Sequence, residues 1–255
     1  MRSGVGALAT DYTTIAEDLA SQGYVVVGAD APYTTTVVAF PDGRVIHKTP
    51  QGSPGGQEIS ANKVINLWSS DTRFILDKLT YLNEKDPSGI FKGKLDMQAV
   101  GIVGHSFGGA TAAEACRDDP RFKAGIDMDG QPFGKVVSEG LRQPFMIMLG
   151  DHSNEPGVKE IMGKIQSVYD HLPPGNRWMV SIPAARHFNF SDQALLKDVH
   201  IGRIAGALGL IAPRRGLSVV SSCIARFFDI YLKKKPGATL RKSLQALPEV
   251  KVLPK

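Results

Sequence analysis

The stretch GIVGHSFGGATAAEA, residues 101–115, constrains this chain more than any other. It reads as a short apolar run, a tight turn around one serine, and a helix of small residues. Gly104 and Gly108 flank Ser106 in a G-x-S-x-G pattern, and Gly109 follows. Glycines there remove the Cβ atoms that would clash with the strand and helix on either side, so the serine can occupy a strained backbone corner. Its hydroxyl then stands proud of a sheet, beside a helix N-terminus whose free N–H groups and dipole favour developing negative charge. A surface turn that merely contains serine requires neither the strand before it nor the helix after it. A serine that attacks a carbonyl requires both.

The rest of the chain alternates in the same way. YTTIAEDLASQG (12–23) places Ile15 and Leu19 four apart and ends at a natural helix stop, Gly23. YVVVGAD (24–30) is β-branched and apolar and predicts a buried strand. A loop-rich segment follows, whose Pro-Asp-Gly predicts a small hairpin. From Ile59 to Asn83 the spacing predicts a long helix with Val64, Leu67, Trp68, Ile75, Leu79 and Leu82 as its apolar stripe. Strands are expected at 99–104, 123–129, 145–150 and, as the last of them, 177–183. Helices are expected at 108–117, 158–172 and 217–232. Such alternation implies an α/β fold with a mostly parallel sheet and helices on both faces.

Length and charge narrow the class. The chain has 255 residues and a net charge of +5. Much of the excess lies in LKKKPGATLRK and the final lysines, which reads as a solvated basic tail over 236–255 after a domain over 1–235. No nucleic-acid motif accompanies it, so nucleic acid is not an expected partner. The apolar stretch IGRIAGALGLIAP is too short to span a bilayer. The start, MRSGVGALATDY, lacks the apolar core of a signal peptide. The two cysteines, Cys116 and Cys223, read as buried free thiols, which leaves the redox compartment and the localisation open. No ligand cluster calls for a metal, and no cofactor is expected.

A serine nucleophile needs a base, and the base needs an orienting carboxylate. Of six histidines, His187 in IPAARHFNFSD follows the last expected strand, where the chain order Ser–acid–His puts the base. His105, inside the motif, reads as packing, His171 as a helix-end cation, and His152 as too early in the order. Three aspartates compete for the third role: Asp127, Asp129 and Asp151, all at carboxyl ends of strands. Asp127 and Asp129 are two apart, and only one of them can serve as the partner of the histidine. Spacing alone does not choose between that one and Asp151.

The segments GHSFGGATAAEA, RFKAGIDMDGQPFG and RHFNFSD resemble the platelet-activating-factor acetylhydrolase family of the lipoprotein-associated type, with its fungal and bacterial relatives. TDYTTIAEDLASQGYVVVGADAPY and DTRFILDKL add to the likeness, which runs from about Ser3 to about Leu232. The resemblance implies the α/β-hydrolase fold and calcium-independent hydrolysis of short or oxidised sn-2 acyl esters of phospholipids. Its acid position falls on Asp129, within Gly125–Asp129, and its histidine on His187. Its oxyanion donors fall on the N–H groups of Phe107 and of Val5, in the loop Gly4-Val5-Gly6. One departure is Ser3, where the family has His or Pro. The other is that the strand feeding the loop in that family is absent here. The expectation is therefore a fold lacking its N-terminal strands, with a gap between 24–30 and 99–104. A longer natural chain would then carry an extra N-terminal segment and a secretion signal.

Two other readings stand beside this one. A dienelactone-hydrolase-like or cutinase-like esterase, acting on small or polyester substrates, would share the chemistry and favour Asp151 as the acid. A catalytically inactive member would serve as a binding module. The expected partner is a small-molecule ester or phospholipid. The stretch Ile201–Ile211 either covers core or touches a lipid surface. Oligomeric state is not encoded in any of these features.

Overall fold

The computed structural model describes residues 1–55, 58–153, 155–196, 198–235 and 240–253. Helix α1 (Thr13–Ser21) buries Ile15 and Leu19, and the chain leaves it through Gly23, whose φ of 88° suits a residue without a Cβ. Strands β1 (Val37–Ala39) and β2 (Val45–His47) form the small antiparallel hairpin expected around Pro41-Asp42-Gly43. Helix α2 (Glu58–Lys85) is long, as its periodicity predicts. Its buried stripe runs through Ile65, Trp68 and Leu76, while Leu67, an expected member, is 60% exposed.

The central unit follows: β3 (Val100–His105), α3 (Phe107–Asp118), β4 (Phe122–Met128), α4 (Val136–Glu139) and β5 (Phe145–Leu149). After it come α5 (Val158–His171), β6 (Arg177–Ser181), α6 (Gln193–Leu196), α7 (Val199–Ile204), α8 (Pro213–Tyr231), α9 (Leu240–Gln245) and β7 (Lys251–Val252). Asp198 caps α7 by accepting the His200 and Ile201 N–H groups, and Pro213 opens α8 where a missing N–H costs nothing. The sheet order is β3-β4-β5-β6-β7, parallel except for β7. Alternation sorts its side chains. Ile126, Met128, Met146, Met148 and Val180 pack with α1 and α8 on one face. Ile147, Leu149 and Met179 pack with α3 and α5 on the other. Helices therefore cover both faces, as expected. Cys116 and Cys223 are buried free thiols, one in each of these layers.

Two expectations fail. Residues 24–30 do not form a buried strand: Ala29 makes a single bridge to Arg2, and Val25 is 59% exposed. A strand exists by virtue of its ladder, and this segment is paired only from Val27 to Ala29, where Met1 N donates to the Val27 carbonyl at 2.6 Å and Ala29 N to the Met1 carbonyl at 3.2 Å. There Arg2 lies between Ala29 and Gly104, parallel to both, with its N–H on the Val103 carbonyl at 2.9 Å. Beyond Met1 a trench of about 700 Å³ separates Val25–Val27 from Val100–Val103, floored by Leu76, Phe228 and Leu232.

The second failure is the solvated tail. Leu240, Leu244, Leu247 and Val250 are buried against α8 and the sheet, and β7 pairs antiparallel with β6, so 177–183 is not the last strand. The lysines conceal an apolar repeat that packs. The boundary at Pro236 itself lies outside the described residues. No described helix is long and apolar enough to cross a membrane.

Candidate active site

Ser106 sits between β3 and α3 with φ 57° and ψ −126°. Among the described residues only four that are not glycine have positive φ, and Ser106 and Asp129 are two of them. Such backbone costs of order 1–3 kcal/mol and persists only where its surroundings enforce it. Enforcement is visible at the glycines. A Cβ on Gly104 would collide with the Gly108 carbonyl, and one on Gly108 with the carbonyls of Arg2 and Ser3. The loop at Gly4 lies directly against the serine: a Cβ there would stand 3.1 Å from Ser106 Cβ. Among the described residues neither the Val5 nor the Phe107 N–H has an intramolecular acceptor. Both amides are therefore free to receive an oxyanion beside the helix start.

Asp129 follows the end of β4 and is buried. Its Oδ2 accepts His187 Nδ1 at 2.8 Å. Its Oδ1 accepts the Gly150 N–H and His152 Nε2, each at 2.7 Å. Burial pushes this carboxyl upward. The hydrogen bonds from His152 and His187 and the charges of both rings outweigh it and hold Asp129 well below the usual carboxylate range. His187 opens a short 3₁₀ turn, His187–Phe190, after β6. With Nδ1 on Asp129, its Nε2 is the nitrogen left for the serine. Among the described residues Ser106 Oγ makes no hydrogen bond, so the serine–imidazole contact is open in this state. Such contacts commonly tighten only when substrate binds.

The competing acids separate by environment. Asp127 is fully buried beneath the turn, accepts the Gly130 N–H at 2.9 Å, and is pushed upward from the usual carboxylate range by burial. Its carboxyl fills the space a Cβ on Gly109 would need. The Asp151 carboxyl accepts the Ser153 N–H at 3.0 Å in its own loop and makes no hydrogen bond to His187 among the described residues. The structure thus brings Asp129 to His187 and leaves Asp127 and Asp151 apart from it.

Sequence reasoning overlooked a buried chain behind the site. Tyr12 Oη accepts the Gly4 N–H at 3.2 Å, so its own proton points to His105 Nδ1 at 2.8 Å. His105 Nε2 then carries the other proton and donates to the His187 carbonyl at 3.0 Å. Burial drives His105 down to about 3, so it is neutral. Three segments far apart in sequence, at Gly4, His105 and His187, are tied through one phenol and one imidazole. His105 is therefore more than packing, and its place inside the serine motif was the available signal. His152, set aside on chain order, contacts Asp129 directly and had no local signal.

A family model described as "Platelet-activating factor acetylhydrolase, isoform II" matches residues 75–242. The chain belongs to this family. The match runs from within α2 into α9 and so includes Ser106, Asp129 and His187. A protein named "Probable 1-alkyl-2-acetylglycerophosphocholine esterase" from Arthroderma benhamiae is 28% identical, over 94% of this chain and 61% of its own length. The "Platelet-activating factor acetylhydrolase" of Cavia porcellus is 25% identical, over 90% of this chain and 56% of its own. The chain thus spans less than two thirds of the length of these acetylhydrolase-family relatives. Among solved structures, a ferulic acid esterase from Streptomyces cinnamoneus superposes with a TM-score of 0.84 at 29% identity, covering 99% of this chain and 72% of that one. The α/β-hydrolase architecture expected from the sequence accords with this neighbour.

Proposed function

We propose that this chain is a serine esterase that removes short acyl groups, with the sn-2 acetyl of 1-alkyl-2-acetylglycerophosphocholine-like phospholipids as its substrate class. The observation that carries the reading is the 2.8 Å bond from buried Asp129 to His187, set beside a serine in strained backbone. His187 Nε2 takes the Ser106 proton as Oγ attacks the ester carbonyl. The N–H groups of Phe107 and Val5 hold the oxyanion. Asp129 keeps Nδ1 protonated and stabilises the imidazolium. The imidazolium then protonates the departing alcohol, and a water deprotonated by His187 releases the acid. No step calls on a metal or cofactor.

The phospholipid preference draws on the named relatives and on an apolar surface. Leu196, Ile201, Ile204 and Leu210 are exposed, Ile204 to 89%. They lie on a segment tied to the base loop, through the Phe188 N–H on the Ala207 carbonyl and Arg186 on the Gly206 carbonyl. Such a surface next to the reacting groups suits an aggregated lipid. The ferulic acid esterase neighbour favours a second reading, a carboxylesterase for small soluble esters. The test is twofold. A fluorophosphonate probe should label the folded protein and not Ser106→Ala, and absence of labelling of the wild type refutes the serine reading. Acetyl-phospholipid should be hydrolysed with a higher kcat/KM than 4-nitrophenyl acetate, and the reverse order favours the soluble-ester reading.

A further inference from the structure

His152 sits between two carboxylates. Its Nε2 meets Asp129 Oδ1 at 2.7 Å, and its Nδ1 meets Glu155 Oε2 at 2.8 Å. A neutral imidazole owns one N–H and cannot donate to both; an imidazolium can. The ring is mostly shielded, at 21% side-chain exposure, and the Asp129 side chain is fully shielded, so solvent screens their interaction poorly.

We propose that His152 is a cationic positioning residue, a second imidazole on the acid of the triad, which holds Asp129 ionised and correctly turned and keeps His187 from being protonated before it is needed. This rests on the reading of Ser106, Asp129 and His187 as the reacting set. A lone buried carboxylate beside His187 would favour the imidazolium in the resting enzyme and so remove the base. A cation on the far oxygen of the same carboxylate offsets that pull, while the developing imidazolium still keeps its direct hydrogen bond.

The neighbouring charges are consistent with this. Asp129 faces the ring from the end of β4, and Glu155 and Asp151 face it from its own loop. From the loop after β6 come His187, on the same carboxylate, and Arg186, whose charge acts on Asp151. Neutral His105 lies behind His187, ring centroids 4.5 Å apart. The hydrogen bond to Asp129 raises His152 to about 9, with Glu155 adding to the shift. The ring is therefore charged throughout the neutral range.

The experiment is the pH profile of kcat/KM on 4-nitrophenyl acetate. His152→Gln keeps a donor for Asp129 and removes the charge. Its acid limb should move to higher pH by roughly half to one unit. His152→Lys keeps the charge, and its limb should stay within about 0.2 units of wild type. A fall in kcat with an unmoved limb in His152→Gln marks a merely structural residue and overturns the proposal. Should that variant fail to fold, nitrogen NMR of the wild type decides: both ring nitrogens of His152 should be protonated near pH 7.5, whereas one bare nitrogen overturns the idea. Ser106→Ala separates the two claims. If it retains activity, the triad reading fails, and the NMR measurement still judges the charge on His152.

Discussion

Replacing Asp129 by asparagine probes the bond on which the proposed chemistry depends. The carboxylate accepts three donors: Gly150 N and His152 Nε2 on one oxygen, His187 Nδ1 on the other. An amide has one oxygen to offer. If that oxygen faces His187, the NH2 group meets the Gly150 N–H, and a buried backbone donor is left unpaired at about 1–3 kcal/mol. If the oxygen stays with Gly150, the NH2 donates to His187 Nδ1 and forces the proton onto Nε2. The ring can then no longer accept from Ser106. The second arrangement satisfies more groups, so the variant should hold the wrong tautomer and lose on the order of 10³–10⁴ in kcat. Asp151→Asn alters hydrogen bonding only in the Ser153 turn and should lose less than about threefold. The assay is steady-state hydrolysis of 4-nitrophenyl acetate by both variants. A larger loss in Asp151→Asn would refute the assignment of the acid. The same variant carries a stability signature. The folded-state carboxyl of Asp129 is depressed, so its contribution is fully present above the unfolded-state range near pH 4 and fades as pH falls below it. The difference in melting temperature between wild type and Asp129→Asn should be largest from about pH 5 to pH 8 and should shrink below about pH 4.

Tyr12→Phe leaves the Gly4 N–H and His105 Nδ1 without their partner, and should cost about 2–4 kcal/mol in urea unfolding. An unchanged midpoint would show that the phenol does not tie the loops together. Leu244→Ala empties a fully buried position in α9 and should cost about 2–4 kcal/mol in the same assay. A loss near zero would return the C-terminal segment to the role of a solvated tail.

The serine corner was legible because its determinants are local. A strand, two flanking glycines and a helix of small residues lie within 15 consecutive positions, and the steric demand they answer arises inside that window. The sheet and its covering helices were legible for a similar reason, since side-chain periodicity is set by the backbone of each element. Where strand formation depended on a distant partner, the pattern misled. Residues 24–30 have the composition of a strand but form a β-bridge only at Ala29. The C-terminal lysines hid the spacing of Leu240, Leu244 and Leu247, which becomes meaningful only against α8.

What the sequence alone determined is the scaffold and the strained serine corner, because both follow from short-range geometry. The tertiary structure decided which carboxylate faces His187. Asp127, Asp129 and Asp151 are the same residue type at like positions and differ only in what packs on them: a buried pocket for the first, two imidazoles and an amide for the second, its own turn for the third. His152 and Tyr12 acquire their partners likewise. A hydrogen bond between residues 23 or 93 positions apart leaves no trace in either local segment, and only folding brings its two ends together.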